Sequence, residues 1–286
     1  MAEPKQTIAG AMMRASALLR EAGIDEFRRE AAALAAFVLD KTPVFLIAHP
    51  EYEPTPDEAD RYDSVIRRRS NREPFHYITG TKEFYGLDFA VGPGVLIPRP
   101  ETELLVEDAI DILAKINRPK FLEIGVGSGC ISVSLLLHAR NADAVAVDIS
   151  PSAIEVAASN AARHDVAVRL DLKLGDIYSG ISGTFDLIVA NPPYIPDGDL
   201  DSLQPEVGAF EPHRALFGGF DGLSIVRRII LEAPDFLREN GFLLIEIGFG
   251  QAASVKELFA EPVWGDVGFI RDLQGIERIV RAKVRS

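Results

Sequence analysis

Hydrophobic and polar residues change their spacing along the chain, and the change divides it into regions. In residues 7–72, apolar residues recur every three to four positions, as in the stripes within residues 11–19 and 32–39, which is typical of amphipathic helices. A further helix is predicted to begin at Thr55-Pro56, where a capping residue precedes proline at the first helical position. The N-terminal region is therefore predicted to be helical.

Aromatic and β-branched residues interrupted by glycine follow this region. Residues 74–80 and 83–91 have this composition, which is typical of strands joined by turns and predicts a small β-hairpin. We therefore expect a small helical domain over residues 1–80, a hairpin linker over residues 81–96 and a larger α/β domain over residues 97–286.

The larger domain alternates short apolar runs with helical stretches. Such alternation is typical of a parallel, doubly wound sheet with helices on both faces. Helices are predicted near residues 129–139, 151–163, 225–237 and 252–259. Strands are predicted at residues 121–124, 144–148, 167–170, 187–190 and 241–247, with an antiparallel edge hairpin at residues 264–270 and 276–284.

Composition excludes several classes of protein. The chain has 286 residues, 47% of them hydrophobic and 26% charged, which suits an ordinary globular protein. Its one cysteine, Cys130, excludes an internal disulfide and a cysteine-based zinc cluster, and its five histidines do not fall at metal-ligand spacing, so we expect no bound metal. No apolar run approaches the roughly 20 residues that span a bilayer, and the polar N-terminus does not resemble a signal peptide, so we expect a cytoplasmic protein.

Charge adds a constraint on partners. With 43 acidic and 30 basic residues the net charge is −13, so the chain as a whole repels a phosphate backbone, and we expect no sequence-specific nucleic acid partner. One cluster of basic residues could bind an acidic partner or RNA. We favour the interpretation that this cluster lies on a solvated helix face. The basic cluster consists of Arg67, Arg68, Arg69 and Arg72.

The first predicted strand of the larger domain runs into a glycine-rich turn that opens a helix. Glycines at alternate positions let the backbone approach a ligand closely, because no Cβ intervenes. Cys130 stands where a dinucleotide-binding fingerprint would have its third glycine, which disfavours an NAD-dependent oxidoreductase. The candidate ligand-binding residues here are Glu123, Gly125, Val126, Gly127, Ser128 and Gly129.

Acidic residues follow the next two predicted strands. The carboxylate of Asp148 can accept hydrogen bonds from both hydroxyls of a ribose, and Ile149 lies beside it in sequence. Asp176 could accept from an adenine amino group while Ile177 packs on the ring. Each acid alone is more often simply solvated, but three sites at successive strand ends together predict one nucleoside-binding trough.

The stretch Asn191-Pro192-Pro193-Tyr194 directly follows the fourth predicted strand. Each proline fixes its own φ and keeps the preceding residue extended, so the turn cannot become helical. Asn191 can then present its side-chain oxygen, and Pro192 its carbonyl, to one planar NH2 group, while Tyr194 provides a flat wall. A plain proline-rich loop is the alternative. The neighbouring trough favours a reactive turn instead, and we call residues 191–194 the reactive tip.

Residues 96–103 form a second stiff segment, in which Pro98 and Pro100 lead into a predicted helix. Arg99, Glu101 and Thr102 are candidates to face the same cleft as the reactive tip. Acids at a helix N-terminus are also favourable by themselves, so both interpretations of this segment stay open.

Several of these motifs together resemble those of class I S-adenosylmethionine-dependent methyltransferases that act on amino nitrogens. The resemblance rests on Glu123 with the glycine-rich turn, on Asp148 and on residues 191–194. Further segments resemble the PrmC/HemK family, which methylates the glutamine of the Gly-Gly-Gln motif in peptide chain release factors, so that the resemblance covers nearly the whole chain. These segments are residues 83–86, 97–103, 211–212, 215–219 and 272–278.

That resemblance implies a fold and an activity. The fold would be a Rossmann-like α/β domain with a seven-stranded sheet ending in an antiparallel hairpin, preceded by a small all-α domain that recognises the substrate. S-adenosylmethionine would be the methyl donor and release factors the partners. Separately from the resemblance, we expect a monomer. The implied catalytic residues are Asn191, Pro192, Pro193 and Tyr194, with Arg99, Glu101 and Thr102 at the substrate cleft.

The implied chemistry concerns an amide nitrogen, which is a poor nucleophile because its lone pair is delocalised. Asn191 Oδ1 and the Pro192 carbonyl would accept its two hydrogens and aim the nitrogen at the methyl group, and no general base is assigned. Two alternatives remain. One is an adenine N6-methyltransferase on nucleic acid, which would need a basic groove, and the other is a non-catalytic S-adenosylmethionine-binding factor.

Overall fold

The computed structural model describes residues 7–260 and 262–285, and these residues form two compact units. The first unit contains the residues up to Gly80 together with the segment Gln204–Phe210. The second contains Thr81–Leu203 and the residues from Glu211 onward. Within the described ranges, no helix has both the length and the apolar character needed to span a membrane.

Three helices of the first unit begin after a threonine whose hydroxyl caps the first turn. The hydroxyl of Thr55 accepts a hydrogen bond from the Glu58 backbone N–H, and the Glu58 carboxylate accepts one from the Thr55 N–H at 2.7 Å. Leu19, Leu34 and Tyr62 lie fully buried in the core that the helices enclose. These helices are α1 (Ile8–Glu21), α2 (Phe27–Leu39), α3 (Pro43–Ala48), α4 (Pro56–Ser70) and α5 (Phe75–Thr79).

Three arginines of the basic cluster are paired inside this unit. Arg69, only 5% exposed, donates to Glu30 and to Glu206, whose Oε1 lies 2.9 Å from Arg69 Nη1. Arg72 donates to the other oxygen of Glu206 at 2.6 Å, and Arg68 pairs with a glutamate next to the cluster. The prediction of a solvated helix face is therefore wrong for Arg69, because nothing in the local sequence shows that the segment containing Glu206 joins this unit.

A two-stranded antiparallel hairpin opens the second unit, with β1 (Thr81–Phe84) paired to β2 (Leu87–Ala90). The two residues between these strands both have positive φ, as a two-residue hairpin turn requires. The prediction that residues 74–80 form part of this hairpin was wrong. Pro74 caps the start of α5, and Gly80, with φ +74°, ends that helix in the left-handed conformation.

A mixed sheet forms the centre of the second unit, and its seven strands confirm the fold that the sequence predicts. The strands are β3 (Lys120–Ile124), β4 (Asp143–Asp148), β5 (Leu170–Leu174), β6 (Phe185–Ala190), β7 (Leu237–Glu246), β8 (Trp264–Arg271) and β9 (Glu277–Val284). Their order across the sheet is β5-β4-β3-β6-β7-β9-β8. Neighbours from β5 to β7 are parallel, whereas β9 is antiparallel to both β7 and β8.

Helices cover both faces of this sheet. Along β3, Phe121 lies in the core cluster on one face of the sheet, and Leu122 lies in the cluster on the other face. All six residues of β6 are buried, because this strand lies between β3 and β7 under both layers. The helices are α6 (Glu103–Leu113), α7 (Cys130–His138), α8 (Pro151–Arg163), α10 (Ser224–Glu232) and α11 (Ala252–Glu257), while α9 (Pro205–Phe210) belongs to the first unit.

Several boundaries in the second unit differ from those predicted; β7, for example, begins at Leu237 instead of residue 241. β5 begins at Leu170, where the strand predicted at residues 167–170 ends, because this edge strand carries polar residues that interrupt its apolar pattern. α10 ends at Glu232 instead of continuing to residue 237. Pro234 lies in the 3₁₀ turn that follows, and it cannot donate a helical hydrogen bond.

Candidate active site

Three parallel strands end side by side, and this alignment brings most of the predicted site residues together. The last residue of β3 is aligned with Val147 of β4 on one side and with Ala190 of β6 on the other. Gly125, Asp148 and Asn191 are the next residues of the three strands, so they follow at neighbouring positions. The strand order reverses between β3 and β6, which is where open α/β sheets bind ligands.

The glycine-rich turn after β3 has the backbone that its sequence predicts. Gly125, Gly127 and Gly129 have φ of +78°, +53° and +79°. A Cβ on Gly127 would meet open space, whereas one on Gly129 would approach Ala157 of α8 to 3.2 Å. Gly127 therefore leaves room for a ligand, and Gly129 lets α7 and α8 pack closely. Two intervening side chains are buried, each 2% exposed: Val126 and Ser128.

Glu123 lies at the bottom of this turn and is fully buried. Its Oε2 accepts hydrogen bonds from the backbone N–H of Ser132, at 2.9 Å, and from the Ser132 hydroxyl. Its Oε1 has no hydrogen-bond partner among the described residues. Burial raises the pKa of Glu123 to about 8, although the two hydrogen bonds from Ser132 oppose this rise. The group is therefore mostly a neutral carboxylic acid at pH 7, with one oxygen open to a further contact.

Asp148 at the end of β4 is held by the backbone around it. Its Oδ2 accepts from the N–H of Gly127 and its Oδ1 from the N–H of Ser150, both at 2.9 Å. Burial raises its pKa, and these hydrogen bonds oppose the rise. Each oxygen retains a lone pair, so a fixed carboxylate can accept two further hydroxyl hydrogens. Ile149 beside it is 52% exposed and offers open apolar surface.

The third predicted contact of the trough is less well supported by geometry. Asp176 is exposed, and its Oδ2 lies 2.8 Å from Nη2 of Arg228 on α10. Ile177 is only 5% exposed and belongs to the hydrophobic core, so its side chain does not form an open wall. The contacts of Asp176 and Ile177 with adenine stay predictions, and Ile149 is the better placed apolar residue.

Asn191 is oriented by a residue of the second stiff segment. Asn191 Nδ2 donates to Thr102 Oγ1 at 3.0 Å, and Thr102 is 2% exposed. The nitrogen of this amide is therefore engaged, which leaves Oδ1 as the end that a ligand can use. Sequence reasoning had placed Thr102 at the cleft without identifying this contact.

The rest of the reactive tip is supported by two loops. The Tyr194 carbonyl accepts from Gln251 Nε2 at 2.9 Å. A Cβ on Gly222 would lie 2.1 Å from the same carbonyl oxygen, and one on Gly218 would lie 2.4 Å from that of Pro193, so only glycine fits at either position. Burial raises the pKa of Tyr194 to about 12, so its phenol stays neutral. Pro192 is buried as well.

Arg99 is fixed by a buried acid. Its Nη2 lies 2.6 Å from Oε1 of Glu211, and Glu211 Oε2 accepts from the backbone N–H of Ile97 at 3.1 Å. Glu211 is 3% exposed, so its charge is compensated almost entirely by this pair. Glu101 is exposed and stays a candidate only by its place in the sequence.

Sequence reasoning missed Glu246 at the end of β7. Ala190 of β6 is aligned with Ile245 of β7, so Glu246 and Asn191 are the next residues of adjacent parallel strands. Glu246 is 2% exposed, and its carboxyl forms a hydrogen bond with the Thr102 side chain. A signal was available, because an acid interrupts an apolar run at a strand end here just as Glu123 does.

Comparison with known proteins gives the family. The model of the PrmC N-terminal domain matches residues 11–80, and that of the methyltransferase small domain matches residues 101–203. A release factor glutamine methyltransferase of Koribacter versatilis is 42% identical over 255 residues, which is 88% of this chain and 90% of that protein. The chain belongs to the release factor glutamine methyltransferase family. A second member, from Geobacter sulfurreducens, is also 42% identical and covers 93% of each chain.

Solved structures agree with this family at the level of the fold. The catalytic domain of hMettl16, solved with an RNA hairpin of the MAT2A 3′UTR, has a TM-score of 0.56 at 16% identity, covering 78% of this chain and 80% of that one. A methyltransferase of Pyrococcus furiosus has a TM-score of 0.54 at 22% identity, covering 77% and 98%. At these identities the likeness shows a methyltransferase fold and nothing about the substrate.

The methyl donor that this family and fold imply is S-adenosylmethionine, and the residues at the strand ends suit it. The open space above Gly127 leaves room for a ligand against the backbone. Asp148 is held in place with acceptor capacity for ribose hydroxyls, and Glu123 retains a buried oxygen without a partner. The described residues contain no group of three or more His, Cys, Asp or Glu side chains that could hold a metal ion.

Proposed function

We propose that this protein transfers a methyl group from S-adenosylmethionine to the side-chain amide nitrogen of the glutamine in the Gly-Gly-Gln motif of peptide chain release factors. The proposal is supported by relatives named for this activity, which are 42% identical over about nine tenths of the chain or more. The single observation that carries it is the hydrogen bond from Asn191 Nδ2 to Thr102 Oγ1. In this orientation the amide oxygen of Asn191 is left as an acceptor at the reactive tip.

Two acceptors are what an incoming primary amide requires. The glutamine nitrogen has its lone pair delocalised into the carbonyl, so it must be held with that lone pair directed at the electrophile. Asn191 Oδ1 and the Pro192 carbonyl accept the two amide hydrogens, and this contact strengthens as positive charge develops on the nitrogen. Pro193 keeps the turn extended, and Tyr194 packs against the plane of the amide.

Binding of the methyl donor and removal of the amide proton require few further residues of this chain. S-adenosylmethionine supplies, when bound, an electrophilic methyl group carried on a sulfonium sulfur. The glycine-rich turn, Asp148 and Ile149 bind its nucleoside part and fix its position relative to Asn191. No general base is needed before transfer, because the amide proton becomes acidic only after the nitrogen is alkylated.

Partner and compartment belong to the same proposal. The helical unit over residues 1–80 recognises the release factor, and the enzyme acts as a cytoplasmic monomer without a sequence-specific nucleic acid partner. The net charge of −13 disfavours the alternative of an adenine methyltransferase on nucleic acid. The pairing of Arg68, Arg69 and Arg72 with glutamates disfavours it further, because these charges are already compensated within the protein.

The decisive experiment offers both polymers to the full-length protein. It is incubated with methyl-labelled S-adenosylmethionine and either a folded release factor or an adenine-containing duplex, and mass spectrometry locates the label. We expect label on the glutamine of the Gly-Gly-Gln loop and none on a matched release factor in which this glutamine is alanine. Label on the duplex, or an unlabelled release factor, would refute the proposal.

A further inference from the structure

We propose that Thr102 and Glu246 are positioning residues that hold the Asn191 side-chain amide in the one orientation that accepts a substrate amide. The inference rests on the proposed function, since it concerns how the reactive tip is kept ready for methyl transfer. Neither residue needs to touch the substrate for this role. Each acts through the next: Glu246 on Thr102, and Thr102 on Asn191.

The three side chains meet through two separate features of the fold. Parallel alignment of Ala190 with Ile245 places Asn191 and Glu246 at the ends of adjacent strands. Thr102 comes from the 3₁₀ turn that precedes α6, and its hydroxyl oxygen lies 3.0 Å from Asn191 Nδ2. Both Thr102 and Glu246 are 2% exposed, so water competes little for these contacts.

A carboxamide presents an acceptor at one end and a donor at the other, and rotating it by about 180° exchanges them. A substrate NH2 group needs the acceptor, so the rotated Asn191 would oppose a donor to a donor. The Thr102 hydroxyl can donate or accept, and therefore does not choose an orientation by itself. An ionised Glu246 can only accept. It takes the hydroxyl hydrogen and leaves the Thr102 oxygen to accept from Asn191 Nδ2.

The charge state of Glu246 decides whether it accepts a hydrogen bond from Thr102 or can donate one. Burial raises the pKa of Glu246 to about 7, and Glu101 adds to the rise, while the hydrogen bond from Thr102 and the nearby Arg278 and Arg99 oppose it. The charge of Glu246 also contributes to the raised pKa of Tyr194, which therefore lies within its field. A protonated Glu246 can donate to Thr102, and the hydroxyl hydrogen is then free to turn toward Asn191.

A purely structural role explains Glu246 poorly. Its Oε2 is buried without a hydrogen-bond partner among the described residues. A buried carboxyl with an unsatisfied oxygen destabilises a fold, and an apolar residue of similar size would remove this cost. The carboxyl is better explained by its action on Thr102.

The first test removes the hydroxyl while conserving the shape of the side chain. In Thr102→Val, kcat with a release factor is expected to fall by about tenfold or more, whereas the KM of the release factor and the Kd of S-adenosylmethionine stay within about twofold. Thr102→Ser should restore most of kcat. Ser134→Ala is the matched control, because it deletes another buried hydroxyl, on α7, and should leave kcat unchanged.

The second test separates positioning from stability by a double-mutant cycle. Because Thr102 acts through Asn191, Thr102→Val should have little further effect in an Asn191→Ala background. Additive losses would overturn the inference, as would a Thr102→Val protein with the kcat of the wild type. Thermal unfolding of every variant identifies any loss of kcat that comes from misfolding, and the cycle stays informative for variants that fold.

The third test uses pH. At saturating donor and release factor, kcat of the wild type is expected to fall as pH decreases through the pKa of Glu246, near 7. Glu246→Gln cannot ionise, so its kcat should be lower and should lose this dependence. An unchanged pH profile in Glu246→Gln would overturn the role of Glu246. Failure of the wild type to methylate any release factor would instead refute the proposed function.

Discussion

Each unit of the molecule contains carboxyl groups that are at least partly buried, and their surroundings differ. In the helical unit, burial alone would raise the pKa of Glu206, but a backbone N–H together with Arg72 and Arg69 lowers it. Near the carboxyl ends of β3 and β7, burial outweighs the available hydrogen bonds and raises the pKa of Glu123 to about 8 and that of Glu246 to about 7.

The difference follows the place of each group, since Glu206 is paired within the helical unit, whereas Glu123 and Glu246 lie at the candidate site. Both oxygens of Glu206 receive an arginine, so its charge is compensated within the helical unit. Glu123 and Glu246 each keep one buried oxygen without a partner in the described part of the chain. Such an oxygen destabilises the folded state, and the proposed ligand and positioning roles would explain its presence at the strand ends.

Replacing Arg69 with methionine should have the largest effect, and it tests the helical side of this comparison. It removes the buried guanidinium that pairs with the partly buried Glu30 and Glu206, so we expect a decrease of about 3 kcal/mol in the free energy of unfolding, measured in urea. Arg61→Met is the control, because its pair with Asp57 is exposed and should contribute less than about 0.5 kcal/mol. Equal stability of the two variants would contradict the comparison.

Replacing Asn191 with alanine tests the candidate site at the strand ends by measuring methyl-transfer activity. It removes one of the two acceptors for the substrate amide, so kcat should fall by about 100-fold or more. Binding of S-adenosylmethionine, measured by calorimetry, should survive. An equal loss of donor binding would instead place Asn191 in the nucleoside trough.

Replacing Glu123 with glutamine tests whether burial costs stability. A carboxyl whose folded pKa is about 8, against an ordinary value of 4.5, makes the folded state lose stability as pH rises from about 4.5 to 8. Glutamine does not ionise. The free energy of unfolding of the variant, relative to that of the wild type, should therefore increase by more than about 1 kcal/mol between pH 5 and pH 8. The exposed control Glu107→Gln should show no such gain. Thermal unfolding at the two pH values measures the difference.

Replacing Asp176 with alanine should have the smallest effect. Its pair with Arg228 is about half exposed, so stability should change by less than about 0.5 kcal/mol. If Asp176 accepts from the adenine amino group as predicted, the affinity for S-adenosylmethionine should fall by about fivefold, the value of one hydrogen bond. Unchanged affinity would show that Asp176 serves only the surface pair.

Local signals carried most of the correct predictions. A buried strand and the turn after it are neighbours in the chain, so the glycine-rich turn, the place of Asp148 at a strand end and the turn at residues 191–194 were all predicted from continuous stretches. Predictions from continuous stretches were wrong where the hydrophobic pattern is weak or ambiguous. The edge strand β5 is only partly apolar, and the aromatic residues of α5 resemble those of a strand until Pro74 and Gly80 are recognised as its caps.

By itself, the amino-acid sequence determined the class of fold, the ends of β3, β4 and β6 and the chemistry available at each of these ends. Only the tertiary structure decided that Thr102 contacts Asn191 across 89 positions of the chain, that Glu246 lies beside it, and that Glu206 belongs to the helical unit. These contacts depend on strand order, on register and on the path of a long loop. Hydrophobic periodicity shows which face of an element is buried, but it does not identify the element that covers that face.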